Sequence, residues 1–548
     1  MGKIVMPNRN VLLMMTDQQR FDTIAALGNS TIRTPNLDRL CARGVGFRNA
    51  YTPQPVCGPA RHSLFTGADV ATSGLDAKFG REPQKPGVRF MPEVLAEGGY
   101  RTGGFGKMHF SPLRAHHGFQ HYAVREEQDR SAYREDDDYL VYLKEQGYGH
   151  IRYPGGVRGL LYFQPQISPI PEEHHETKWV ADRAIEFLRT FHRAPFFCFA
   201  SWMQPHWPVH VPETFAHMYD LPETEDPVYR EGERVPYTSE QNRVASDLFD
   251  EGNASNVTRM KRSKALYYAS VSFIDKQVGR ILDTLEELGR IDDTLIIFTS
   301  DHGETLGDHR ALGKVTAYEP VVGIPMIVAG PEMEGLGKPS DDLVTLYDIA
   351  PTVYEFTSVT PPPNVSAGAS LLGSRPGVRN RDRVFFEIGE GRSGSAFVGV
   401  RTRRWKYAFY HAGPFRQLFD MENDPNELNN LCEGELTPEH RTIMEALHQS
   451  LLDWNAEHGL PGRVENGDFK PAERPAVPPD RNAQYDQWID HLPADEKAQL
   501  WSEARSVFEA IRNEASVDPA DLDLEFWQGK RGAESIAELE SLVGRKLR

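Results

Sequence analysis

The chain has 548 residues, 39% hydrophobic and 10% aromatic, enough for one large core with additions or for two to three domains. Its formal net charge of −18 argues against nucleic acid or an anionic membrane as the partner of the whole molecule, while leaving room for a locally basic pocket. The four cysteines, Cys41, Cys57, Cys198 and Cys432, match neither a disulfide scaffold nor a zinc spacing. With no signal-like apolar stretch at the N-terminus and no run near the roughly twenty residues that span a bilayer, the expectation is a soluble, cytoplasmic protein.

Taken in chain order, a short apolar run at 11–15 ends at Asp17-Gln18, and a helical pattern follows at 37–43. Cys57-Gly58-Pro59-Ala60-Arg61 opens a second helical stretch, because proline suits a first turn. After a helical pattern at 92–97, apolar runs at 196–200, 295–298 and 325–329 end before Pro205-His206, Asp301-His302 and Gly330, with a long amphipathic stretch at 265–288 among them. Continuous apolar runs of strand length read as strands buried on both faces, and their alternation with helices predicts an α/β fold with a large, mostly parallel sheet. Ligands of such sheets sit beyond the carboxyl ends of the strands, so Asp17-Gln18, His206 and Asp301-His302 converge on one place.

From about residue 383 the texture changes to alternating runs at 384–388, 397–401, 405–410 and 417–421, which predict a small antiparallel sheet. The expected division is an α/β domain over 1–380, an α+β subdomain over 381–460, and a Pro-rich connector with a helical tail over 461–548. Tail aromatics such as Trp501, Phe508 and Trp527 need a packing partner, so the tail is expected to act as an oligomerisation arm in a homo-oligomer.

Cys57 at a helix N-terminus lies where backbone N–H groups favour an anion, although a lone cysteine there reads equally well as a small core residue. What accompanies it decides. Cys57, Pro59 and Arg61 resemble the sulfatase signature Cys-x-Pro-x-Arg, with Gly58 where many members carry Ser. Gly106-Lys107-Met108-His109 resembles the family's Gly-Lys-x-His, Lys314 its later lysine, and His206 its central histidine. The segment 299–309, and Leu418-Phe419-Asp420 with Asp424-Pro425-Asn426-Glu427, extend the likeness over about 8–432.

This resemblance implies an alkaline-phosphatase-like fold and a Cys57 oxidised to formylglycine by a separate maturation enzyme. The aldehyde hydrate then offers one hydroxyl to attack and a second whose deprotonation expels the product. It also implies one divalent metal held by Asp17, Gln18, residue 57, Asp301 and His302, where many members carry Asp at 18 and Asn at 302. The imidazole shifts the expected ion from magnesium toward manganese, with calcium also compatible. Arg61 is expected to orient the hydrate, Lys107, His206 and Lys314 to surround a tetrahedral anion, His206 or Lys314 to protonate the leaving oxygen, and His109 to act as base in product release.

The leading expectation is hydrolysis of small sulfate esters, aryl sulfates first; phosphonate monoesters or phosphodiesters come second. Choline sulfate is a narrower reading, with Trp202 and Trp207 as a possible cage for its ammonium group. A catalytically idle assembly protein is disfavoured because no motif residue is lost. His309 is read as a pocket wall rather than a ligand, and His116, His117 and His121 as a loop cluster.

Overall fold

The three central parallel strands, which carry Asn10–Thr16, Phe196–Ser201 and Thr294–Ser300, are buried along their whole length. A computed structural model describes residues 9–472 except 76–84, 128–133, 152, 157–162, 164, 220–223, 234–235, 237–253, 334–337, 374–380, 390–395, 413–414 and 461. The tail helices expected at 500–515 and 533–547, and the oligomerisation arm they were to form, lie outside the described residues. The main sheet comprises β1 (Asn10–Thr16), β2 (Gly44–Tyr51), β3 (Arg101–Gly106), β4 (His121–Val124), β5 (Phe196–Ser201), β6 (Thr294–Ser300), β7 (Met326–Ala329) and β8 (Ser340–Thr345). Their order across the sheet is β8-β2-β7-β6-β1-β5-β3-β4.

Strand β7 runs antiparallel to both β2 and β6, whereas the other pairings in this sheet are parallel, so the sheet is mixed. Along β1 the side chains alternate between two cores. Val11, Leu13 and Met15 join Phe65, Met91, Ile349 and Val353 on one face. Leu12 and Met14 join Leu37, Val180, Ile281 and Leu285 on the other. The helices on the two faces include α1 (Pro35–Arg43), α2 (Cys57–Thr66), α3 (Glu176–Phe191), α4 (Ala254–Glu287) and α5 (Ile349–Thr357). The α4 helix begins earlier than the 265 expected from apolar periodicity, because residues 254–264 are mostly polar and carry no such signal.

The expected antiparallel sheet is present as β9 (Arg383–Ile388), β10 (Phe397–Thr402), β11 (Trp405–Tyr410) and β12 (Phe415–Asp420), in that order. One face, with Val398, Val400 and Tyr407, is covered by Leu447 and Leu451 of α6 (Pro438–His458). The other face, through Phe386, Phe397 and Tyr410, packs on Tyr51, Val56 and Val322, so the second sheet supports the segment leading into Cys57. Among the described residues no helix is long and apolar enough to cross a membrane.

Candidate active site

Register brings the polar strand ends together. Thr16 of β1 pairs with Ser300 of β6, Met15 with Ser201 of β5, and Ser201 with Gly106 of β3. The residues that follow these ends are Asp17-Gln18, Asp301-His302, Trp202 to His206, and Lys107 to His109. Gly106 is required there: its φ is +93°, and a Cβ would meet the Ser201 carbonyl oxygen at 1.9 Å.

Cys57 is the first residue of α2, after an extended Val56, and is 3% exposed. Its Sγ lies 2.6 Å from Lys314 Nζ, 3.2 Å from His302 Nε2 and 3.8 Å from Asp17 Oδ1. Asp17, Cys57, Asp301 and His302 each place a ligating atom within 4.8 Å of the others, and all four are buried.

Arg61, one helical turn on, organises the carboxylates. Nε donates to Asp301 Oδ2 at 2.8 Å, an NH2 group donates to Asp17 Oδ2 at 3.2 Å, and the remaining NH2 group donates to the Lys107 carbonyl at 2.7 Å and to Ser201 Oγ at 2.8 Å. Lys107 Nζ adds a pair to Asp17 Oδ2 at 2.5 Å. The Oδ2 atoms are thereby held by cations, while Asp301 Oδ1 accepts from the backbone N–H of Gln18 and His302 at 3.0 and 2.9 Å. The guanidinium expected to orient residue 57 thus spends these hydrogen bonds on the residues around it.

His302 Nδ1 donates to the Gly303 carbonyl at 2.9 Å, which leaves Nε2 as a lone-pair donor toward Cys57. Gln18, at φ +63°, donates from its side-chain nitrogen to Glu304, while its Oε1 is buried without a hydrogen-bond partner. The two carboxylates and the imidazole lone pair lie close together, and the residue after Asp17 carries an orphaned amide oxygen; this donor chemistry fits a divalent cation.

Burial works against charge on Asp17, yet Lys107, His206, Arg61 and Lys314 together hold its pKa well below the usual carboxylate value. Burial, then Lys314, pushes His302 down to about 4, with Asp301 and Asp17 pulling the other way. Burial also lowers the pKa of His206, opposed by Asp17 and Glu127. The ring of His206 is fixed by Nδ1 against the Trp207 carbonyl at 2.6 Å, and its Nε2 lies 3.4 Å from Lys314 Nζ.

His109 is buried at the end of the same β3 segment with its backbone N–H on Glu126. Neither cluster of ligating side chains that contains Cys57 includes its ring. Sequence reasoning missed Glu127, which pairs with Lys107 and lies 3.6 Å from His206 Nε2, and Ser201, which receives Arg61. The available signal for Glu127 was Arg125-Glu126-Glu127 directly after a strand, but β4, His-Tyr-Ala-Val, is too short and polar to announce itself.

Trp202 and Trp207 are both fully buried in apolar clusters, and Trp202 Nε1 donates to the Thr177 carbonyl at 2.8 Å. That packing removes them as an open ammonium cage. His309 stacks on Tyr318 at 3.7 Å and lines a half-open cleft of about 440 Å³ with Arg20, Lys264 and Tyr268, a cleft without Cys57 in its wall. His117 stacks on Phe90 at 4.0 Å and His121 packs on Phe191 at 4.4 Å, so these two rings are occupied in packing.

The mixed sheet, its appended antiparallel sheet and the strand-end site belong to a hydrolase of the sulfatase class. Residues 9–359 match the family described as "Sulfatase", and residues 307–457 match "N-sulphoglucosamine sulphohydrolase, C-terminal". An arylsulfatase of Clostridium perfringens is 31% identical over 464 residues, covering 81% of this chain and 93% of the relative. A choline-sulfatase of Rhizobium meliloti is 27% identical, covering 82% and 86%. The fold is also that of the phosphonate monoester hydrolase of Agrobacterium radiobacter, with a TM-score of 0.66 at 24% identity over 82% of this chain and 96% of that one. The chain belongs to the sulfatase family and is a sulfuric ester hydrolase.

Proposed function

We propose that the protein hydrolyses small sulfate esters, aryl sulfates first, using an oxidised Cys57 and one divalent cation. The observation that carries this is the set of contacts at Cys57 Sγ: Lys314 Nζ at 2.6 Å, His302 Nε2 at 3.2 Å and Asp17 Oδ1 at 3.8 Å, at the head of a helix. Formylglycine at residue 57 would supply a hydrated aldehyde as the nucleophile, and a separate maturation enzyme would make it.

Asp17, Gln18, Asp301 and His302 are the residues assigned to the cation, manganese or calcium, which would lower the cost of charge on the attacking oxygen. Arg61 fixes the geometry of Asp17 and Asp301 through Nε and one NH2 group, and is itself anchored on Ser201 and the Lys107 carbonyl by the other. Lys107, His206 and Lys314 supply positive charge and donors for the non-bridging oxygens and the leaving oxygen. His109, at the same strand end, is the candidate base for product release. The residues beyond 460 are assigned to subunit association; a chain ended at Gly462 that keeps the same number of subunits in light scattering would remove that assignment.

Phosphonate monoesters and phosphodiesters are the second reading, since their reacting centres are monoanionic like a sulfate ester and the fold is shared with a phosphonate monoester hydrolase. The test is peptide mass spectrometry of residue 57 together with turnover of an aryl sulfate and a phosphonate monoester on the same preparation. Aldehyde with dominant sulfate turnover supports the first reading, and dominant phosphonate turnover replaces it with the second. A thiol produced in a host able to oxidise it, with neither ester turned over, defeats both.

A further inference from the structure

Glu127 puts a negative charge where the proposed reaction needs an anionic ester. Its carboxylate pairs with Lys107 Nζ, lies 3.6 Å from His206 Nε2, and shares with His206 and Cys57 a cluster whose ligating atoms all lie within 4.8 Å of one another. Lys107 and His206 are two of the groups assigned to the non-bridging oxygens. An ester group that reaches residue 57 between them must take the place of this carboxylate.

The chain leading into Glu127 is held on both preceding residues. Arg125 N–H donates to the Gly106 carbonyl at 3.1 Å, Glu126 N–H donates to Asp137 at 2.9 Å, and the Glu126 carboxylate receives Met108 N–H at 2.8 Å and His109 N–H. Side-chain rotation is enough to free the Glu127 carboxylate from Lys107, so the charge, once displaced, stays near the site. Its release leaves no orphan behind, because Lys107 keeps Asp17 at 2.5 Å.

We infer that Glu127 is a specificity-determining residue that exchanges its carboxylate for one negative charge and disfavours two. This rests on the sulfatase reading of the same site. A sulfate ester or a phosphodiester is a monoanion and replaces the carboxylate charge for charge. Inorganic sulfate and phosphate monoesters are dianions, and the extra charge meets the displaced carboxylate across a partly solvated rim, where one charge–charge repulsion is worth about tenfold in affinity. The same repulsion weakens retention of the sulfate product.

The test uses the full, metal-loaded chain and calorimetric titration with inorganic sulfate and with methanesulfonate, a tetrahedral monoanion. Glu127→Gln keeps an acceptor for Lys107 but removes the charge, and is expected to tighten sulfate binding about tenfold more than it tightens methanesulfonate binding. Its kcat/KM for phosphate monoesters should rise relative to sulfate esters, and Glu127→Asp should retain the wild-type preference. Unchanged or weaker sulfate binding in Glu127→Gln overturns the inference. Should that variant fail to fold, Glu127→Ala takes its place in the same two titrations: a larger gain for sulfate than for methanesulfonate supports the inference, and an equal or smaller gain overturns it. Binding is read without turnover, so a wild type inactive on sulfate esters defeats the reaction assigned above while leaving this inference to its own result.

Discussion

Arg61 and Asp301 form an ion pair at 2.8 Å in which both side chains are fully buried. The pair holds because Asp17 is tied to the same guanidinium, and because Asp301 Oδ1 is separately satisfied by two backbone N–H groups. Lysine at position 61 carries the charge but cannot reach the same four acceptors from a planar fork. Arg61→Lys is expected to destabilise the fold by about 3 kcal/mol, since it leaves buried carboxylates short of donors. Urea unfolding of the two chains checks this, and equal midpoints would mean the site's charges are balanced in another way.

Cys57→Ala separates chemistry from folding. The side chain is small and lies at a helix start supported by Pro59 and the packed Val56, so a stability change within about 1 kcal/mol is expected. Turnover of an aryl sulfate should fall by at least about 10³-fold, because removing a nucleophile removes the step itself. Retained turnover would place the nucleophile elsewhere.

Much of the site's location was legible because parallel strands buried on both faces leave a plain mark, an apolar run cut off by a polar residue. Asp17, His206 and Asp301 follow such runs. Lys107 does not: β3 reads Arg-Thr-Gly-Gly-Phe-Gly, where glycines admit Phe187 and Phe119 against the backbone in place of an apolar run, so only its likeness to a family motif singled it out. The link between Arg61 and the carboxylates was not legible at all, because residue types do not reveal which oxygen an arginine takes. Glu127 escaped for a related reason: its importance lies in proximity to Lys107 and His206, which are 20 and 79 positions away in sequence.

Asp301→Asn tests the donor set. The variant keeps the shape and an acceptor but loses the charge that both Arg61 and a bound cation require, and affinity for manganese is expected to fall by at least about 100-fold. Elemental analysis after dialysis measures it. Metal content equal to wild type would remove Asp301 from the ligands.

His302→Asn tests the identity of the ion. An amide oxygen in place of the imidazole nitrogen makes the set all-oxygen, which favours calcium or magnesium over manganese. Competition titrations should show the manganese-to-calcium affinity ratio drop by about tenfold or more. An unchanged ratio would mean that His302 is not a ligand, although it stands 3.2 Å from Cys57.

Away from the site, buried His175 is expected to set part of the response to acid. His175 Nδ1 accepts the Thr177 N–H at the head of α3 at 3.2 Å, its Nε2 meets His210 Nδ1 at 3.1 Å, and His210 Nε2 lies 3.2 Å from Glu176. With Nδ1 an acceptor, the proton of neutral His175 is assigned to Nε2. Burial, then His210, lowers the pKa of His175 to about 3, with Glu176 opposing and Arg125 assisting. The unfolded chain titrates this ring near 6.5, so between about 6.5 and 3 the unfolded state holds more protons and stability falls as pH falls. One such group contributes a slope approaching about 1.4 kcal/mol per pH unit. His175→Asn keeps an acceptor suited to a helix start and removes the titration. It should cost about 1 kcal/mol at pH 7.5, from the lost bond to His210, and flatten the decline between pH 6 and pH 5. Urea midpoints across that range read the slope directly; a slope equal to wild type would assign the acid response to other groups.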